Sequence, residues 1–251
     1  MRARALPLEW LSLPLLVGLW QVAAWGVDSR FLPAPIAVAR VIADLAMQGP
    51  LVADFAQTLA RAGVAFVVAM GLGTALGLVL GRVIWLDRLF GPWVLVGMNL
   101  PAIVVAIICY IGLGLTEFAL VLAVVINKLP MVIVTVREGV RAFGPEYDEL
   151  VTVYRLPLGR RLRRVYLPQL MPFVMTAART GLALIWKIVL VFEVLGSDGG
   201  VGFRVSIFFQ YFDMAGILAY TTVFVGLVMV VEHGVLRRVE RRVTAWRPDR
   251  G

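Results

Sequence analysis

Uncharged apolar runs dominate the chain, and polar clusters separate them. Residues 62–81, 89–116 and 214–231 contain no Asp, Glu, Lys or Arg. A helix that crosses a bilayer needs about 20 predominantly apolar residues, so each run predicts a span. Shorter or interrupted runs complete a set of six, at about 10–27, 60–81, 92–112, 118–136, 169–195 and 214–232. The fold expected is an all-α polytopic membrane protein, one transmembrane domain over residues 1–251.

Details within the runs refine this reading. The first has a competing interpretation as a cleaved signal peptide, because Val22-Ala23-Ala24 offers small residues; its length and its tryptophans favour a span. Phe31-Leu32-Pro33-Ala34-Pro35 reads as an extended link. Ile36 to Met47 then places Val38, Val41, Ile42 and Leu45 on one face, the pattern of a short amphipathic helix. Ala69, Gly73, Gly77 and Gly81 stand four apart, a stripe of small residues where a neighbouring helix backbone can approach closely. Pro101 interrupts the third span, Asn127, Lys128 and Pro130 lie in the fourth, and Arg179, Lys187 and Glu193 lie in the fifth. Residues 196–213 read as a glycine-bearing loop.

Composition agrees: 61% of residues are hydrophobic and 16% charged, against about 25% charged in soluble domains. The net charge of +8 would in a soluble protein raise nucleic acid as a partner. Its distribution argues otherwise. The N-terminus, 82–91, 137–166 and the tail from Arg237 hold most of the arginines, seven of them in 137–166. The alternate segments, 28–57, 113–117 and 196–213, hold only Arg30, Arg40 and Arg204. Basic loops mark the cytoplasmic side, so both termini are expected in the cytoplasm. No basic, aromatic-interleaved module calls for nucleic acid.

The long loop at 137–166 is the most informative segment. Pro145 followed by Glu146, Asp148 and Glu149 is a favourable helix start. Tyr147, Leu150, Val151 and Tyr154 share one face. Pro157-Leu158-Gly159 should end that helix, and a second, basic helix from Arg160 to Tyr166 should lead to Leu167-Pro168 and the membrane. The apolar stripe either packs on the protein's own span ends or docks a cytoplasmic partner.

Glu149-Leu150-Val151, Arg155 and Val165-Tyr166-Leu167-Pro168 resemble the EAA loop of binding-protein-dependent ABC transporter permeases. Leu150 and Val151 stand for the family's two alanines and Arg155 for its glycine. Phe31 to Pro35, the glycines of 73–81, Asn99-Leu100-Pro101-Ala102 with Ile111-Gly112-Leu113-Gly114, and Gly200-Val201-Gly202 resemble other segments of that family. Arg179, Trp186 and Glu193, spaced by seven, resemble the fifth span of its sulfonate/taurine/nitrate-type members. The resemblance covers roughly residues 30–245. It implies a type I importer permease in the bacterial inner membrane. A second copy would complete the path, two ABC ATPase subunits would dock below, and a periplasmic substrate-binding protein would deliver the solute. Tyr147, Glu149, Leu150, Val151, Tyr154, Arg155, Leu158 and Gly159 would then couple to the ATPase. A membrane scaffold that recruits a partner through the same loop is the alternative.

Other chemistry is not signalled. There is no Gly-x-x-x-x-Gly-Lys-Ser/Thr loop, so no ATP site is expected here; ATP and magnesium belong on the partner ATPase, and the chain itself is not expected to be an enzyme. One histidine, His233, and one cysteine, Cys109, make neither a metal site nor a catalytic triad. Charges inside spans are costly and mark function. Lys128 and Lys187, with Arg179, Trp186 and Glu193, are therefore the candidates for the translocation path, and the lysines favour a small anionic solute. Glu193 lies near the outer end of its span, where hydration would make it structural. Lys187 and Glu193 are six residues apart and do not face each other on a helix.

Overall fold

The computed structural model describes residues 8–27, 29, 31–143, 153–155, 157–231 and 234, and every regular element among them is helical. In chain order these are α1 (Leu8–Val27), α2 (Pro35–Met47), α3 (Leu51–Arg82), α4 (Ile84–Asn99), α5 (Ala102–Leu113), α6 (Glu117–Arg141), α7 (Leu167–Gly196), α8 (Val201–Gln210) and α9 (Met214–Val230). A short helical turn, Leu158–Arg160, and a π-helical turn, Arg161–Tyr166, precede α7.

Helices α3 and α6 are each long and apolar enough to cross a membrane. Two further stretches qualify only as bent pairs: α4 with α5, turned by 98°, and the helix ending at Gly196 with α8, turned by 51°. Shorter apolar helices lie at Pro14–Val27 and Met214–Val230.

Three boundaries differ from the sequence reading. The 92–112 stretch is helical on both sides of Leu100-Pro101 but is not straight, because Pro101 has no N–H to continue α4 and instead starts α5. The presumed loop at 196–213 contains α8. The glycines at 199, 200 and 202 disguise its start. The fifth span, expected from about residue 169, starts earlier and continues from the basic turn before it: the π-helical turn Arg161–Tyr166 runs directly into α7 at Leu167.

The centre of the protein is α6, which contacts α3, α4, α5 and α7. The seam with α3 is set by the small-residue stripe. A Cβ on Gly73 would lie 2.6 Å from Val132 Cβ, one on Gly77 2.7 Å from Val136 Cβ, and one on Gly81 2.6 Å from Val140 Cβ. Each glycine thus receives a valine from α6, and the ascending register on both helices means that α3 and α6 run parallel. Ala69, above this seam, is buried in the main core with Ala62, Ala65, Ala123 and Val124. At Gly139 of α6 a Cβ would lie 2.8 Å from Phe173 Cβ of α7, whereas the start of α6 lies near the end of α7; α7 therefore runs antiparallel to both.

This arrangement gives the bundle two ends. One gathers Arg82, Phe143, Tyr166, Asp87 and Arg141: the Arg82 guanidinium lies 4.0 Å from the Tyr166 ring centroid, Phe143 stacks on Tyr166, and Arg141 pairs with Asp87. The other gathers Arg61, Glu117, Glu193 and the segment 197–202.

Candidate functional site

The Arg61 end is built from polar residues that α3 spaces along one face. Asp54, Thr58 and Arg61 are all buried in an otherwise apolar environment. Arg61 Nε donates to Glu117 Oε2 at 2.6 Å, and its Nη2 pairs with Glu117 Oε1. Its Nη1 reaches Glu193 Oε1 at 2.8 Å and the Gly199 carbonyl at 2.6 Å. One guanidinium therefore ties the start of α6, the end of α7 and the following loop to α3, using the forked geometry that lysine lacks.

Glu193, expected to be hydrated, is fully buried. Its carboxylate is nonetheless satisfied on both oxygens. The Thr58 hydroxyl donates to it at 2.8 Å and accepts from Val201 N at 2.9 Å. Gly202 N donates to Glu193 Oε2 at 2.8 Å. The first amide groups of a helix have no partner within it, and here a carboxylate and a hydroxyl from two other helices supply them, the carboxylate also complementing the positive end of α8. The glycines permit the approach: Gly200 has φ +96°, and a Cβ on Gly202 would lie 2.7 Å from Glu193 Cβ. Beside this network Arg204 Nε donates to Asp54 Oδ2 at 2.9 Å and Tyr220 Oη donates to the same oxygen at 2.7 Å, which holds α8 and α9 to α3.

The remaining path candidates are dispersed. Lys128 is 6% exposed and has no hydrogen bond or ion pair among the described residues. Trp186 is buried, its indole edge-on to Phe224, and its Nε1 has no hydrogen-bond partner. Arg179 and Lys187 are exposed. On α7 the exposed Thr176, Thr180, Lys187, Val191 and Val194 recur at helical spacing and form one uncovered stripe. Glu117 and Glu193 meet the same guanidinium, which sets a common level: Lys187 lies about 9 Å below it along α7, and Lys128 about 16 Å below it along α6. Glu193 is thus partnered by Arg61, and neither lysine is needed to neutralise it.

Of the coupling residues, Tyr147, Glu149, Leu150 and Val151 lie outside the described residues. Tyr154 is 72% exposed. Arg155 adopts φ +46°, Leu158 opens the turn Leu158–Arg160, and a Cβ on Gly159 would meet nothing within 4 Å.

Arg61, Glu117, Asp54 and Thr58 were not singled out from the sequence. The usable signal was the spacing 54, 58, 61, which puts three polar groups on one face of an apolar helix; their partners, 56 to 166 residues away, leave no such mark.

Comparison with known proteins places this architecture. The family described as "Binding-protein-dependent transport system inner membrane component" matches residues 69–245. The riboflavin transport system permease protein RibX of Chloroflexus aurantiacus is 31% identical over 235 residues, 91% of this chain and 87% of that one. The putative aliphatic sulfonates transport permease protein SsuC of Bacillus subtilis is 23% identical over 240 residues, 94% of this chain and 87% of its own length. The nitrate import permease protein NrtB of Synechocystis is 23% identical over 203 residues, 77% and 73% of the two chains. In fold, the chain matches an inward-facing structure of the MetNI methionine ABC transporter with TM-score 0.69 at 19% identity, covering 78% of this chain and 97% of that one. The protein is therefore a member of the binding-protein-dependent transport system inner membrane component family, the permeases of ABC importers.

Proposed function

We propose that this permease works as a homodimer that carries a small anion, such as a sulfonate, inward through a path lined by the uncovered stripe of α7. The observation that carries the reading is the pair of lysines at membrane depth. A charge at the centre of a span costs about 2.5–3.5 kcal/mol on insertion scales, and Lys128 is buried without an acidic partner among the described residues. Lys187 stands exposed in the α7 stripe. In a two-fold dimer these would set four positive charges around one axis.

The rest of the assembly follows from this reading. The Arg61 end faces the periplasm, where a binding protein delivers the solute. The Arg141 end faces the cytoplasm, as the excess of arginine in 82–91 and 137–166 supports. Two separate ATPase subunits hold ATP and magnesium and engage the segment from Tyr147 to Gly159. Their closure moves that segment, and the continuous helix through Arg161–Tyr166 into α7 transmits the motion to the path.

Uptake into vesicles containing the permease with its ATPase and binding protein tests the proposal. Labelled alkanesulfonate, nitrate and riboflavin should be offered to wild type and to Lys128→Met and Lys187→Met. The reading expects an anion to be carried, with uptake reduced at least about tenfold in Lys128→Met, one buried charge contact. Uptake of riboflavin alone, unchanged in both variants, would overturn it.

A further inference from the structure

We propose that the pocket between α7, α8 and α9 is a subsite for the hydrocarbon tail of the solute, so that the permease favours organic anions with a straight alkyl chain of about four to six carbons over compact inorganic ones. The inference rests on the path proposed above and adds what selects within it. The pocket has a volume of about 180 Å³. Its walls include Val191 and Val194 of α7, Val201, Gly202 and Val205 of α8, and Thr221 of α9. It is open to one side, where Val191 and Val194 are half exposed.

The walls offer no free donor. The amide of Val201 donates to the Thr58 hydroxyl and that of Gly202 to Glu193. The Thr221 hydroxyl donates to the Ile217 carbonyl at 2.8 Å. A compact oxyanion entering the pocket would lose its water and gain no hydrogen bond in return. Hydrocarbon loses nothing there, and apolar cavities of about 150 Å³ stay dry and admit benzene, six carbons.

What marks this pocket as a solute subsite is the charge at its foot. Lys187, Val191 and Val194 stand at i, i+4 and i+7 on α7, so the lysine is on the face that opens to the pocket. It is exposed and has no hydrogen bond or ion pair among the described residues. Val191 lies one turn, about 6 Å, above it. A lysine stem on a helix leans toward the helix start, which keeps the ammonium below the mouth of the pocket and leaves the space over Val191 open. An anion held at Lys187 can therefore run an alkyl tail up along Val191 and into the pocket. The pocket also lies against the first turn of α8, at the end where the solute is delivered in the proposed orientation.

The test uses vesicles holding the permease, its ATPase and its binding protein, with labelled straight-chain alkanesulfonates of one, three, six and eight carbons. The binding protein is the same throughout, so comparing each variant with wild type cancels its own preference. Val205→Phe, which fills the pocket, should lower the ratio of six-carbon to one-carbon uptake at least about tenfold, the equivalent of about two methylenes turned away. Val205→Ala, which enlarges the pocket, should raise the ratio of eight-carbon to six-carbon uptake about fourfold, for one methylene more admitted. If Val205→Phe does not fold, Val205→Ala decides alone. Ratios that stay at wild-type values would overturn the subsite and leave the anion path standing. An equal fall at every chain length in a normally folded Val205→Phe would overturn it in favour of a side chain of a second copy seated in the pocket. Failure of wild type to carry a sulfonate of any length would overturn the anion path, and the subsite with it.

Discussion

The two ends of this permease carry ion clusters of similar size and opposite character. At one end Arg61 is 4% exposed and Glu193 is fully buried. At the other Arg137 and Asp87 are 17% and 16% exposed and Arg141 is 42% exposed. In the first, Arg61 and Glu193 are both out of solvent while Glu117 stays 53% exposed, and the geometry compensates by filling both oxygens of Glu193. In the second, water remains available to each group. Desolvation makes the first cluster an all-or-none clamp, because removing one member strands another in a low-dielectric site. The second can open at little cost, which suits the end proposed above to move with an ATPase.

Removing the hub of the buried cluster should have the largest effect on the protein. Arg61→Leu leaves Glu193 with no cation and Glu117 without its fork. Breaking a buried pair from one side costs about 3–5 kcal/mol, so this variant should lose folded yield and melt far below wild type when Tm is followed in detergent. Glu193→Gln keeps an acceptor for Arg61 and Thr58 and should lose less. Equal, small losses in both would mean that water reaches the cluster.

Packing sets the next effect. Gly77 lies where a Cβ would come 2.7 Å from Val136 Cβ and 2.9 Å from the Ile133 carbonyl oxygen. Neither backbone nor a branched side chain can retreat easily, so Gly77→Val should force α3 and α6 apart and cost about 1–3 kcal/mol, as overpacking does. Gly71, where a Cβ would meet nothing within 4 Å, supplies the control: Gly71→Ala should leave Tm unchanged or slightly raised.

Arg141→Gln should do less than either. It removes one of two arginines from Asp87 at a partly exposed site, and such pairs contribute about 0–1 kcal/mol. A drop in Tm as large as that of Arg61→Leu would erase the distinction between the two ends.

The seam and the clusters were not equally legible in the sequence. Ala69, Gly73, Gly77 and Gly81 announce a close helix contact by their spacing alone, since helix geometry is local. Arg61 and Glu193 do not announce each other, because 132 residues separate them and only the antiparallel return of α7 brings them together. The start of α8 was hidden for a related reason. Glycines at 199, 200 and 202 read as loop, yet two of them are there to let the chain close over Glu193, whose carboxylate supplies the cap that the local sequence lacks. Pro101 marked a break but not its 98° turn, which depends on how α4 and α5 each pack on α6.

The smallest expected effect has the opposite sign and sits in the segment proposed to engage the ATPase. Arg155 has φ +46°, in the region where a Cβ crowds the following carbonyl and an L-residue loses about 1–2 kcal/mol. It occupies the position at which the resembling EAA loop carries glycine, and glycine enters that conformation without the clash. The strain is local: Val153 is the last helical residue before it, and Pro157 accepts from Arg160 N and Arg161 N just after it to begin the next turn. Arg155→Gly should therefore stabilise the native turn, offset in part by the greater freedom that glycine gives the unfolded chain, for a net gain of about 0.5–1 kcal/mol. A small rise in Tm with undiminished ATPase coupling in the assembled importer is the expected result. A rise in Tm with coupling lost would assign the guanidinium itself to the ATPase contact, and a fall in Tm would show that its side chain stabilises the turn by more than the backbone strain costs.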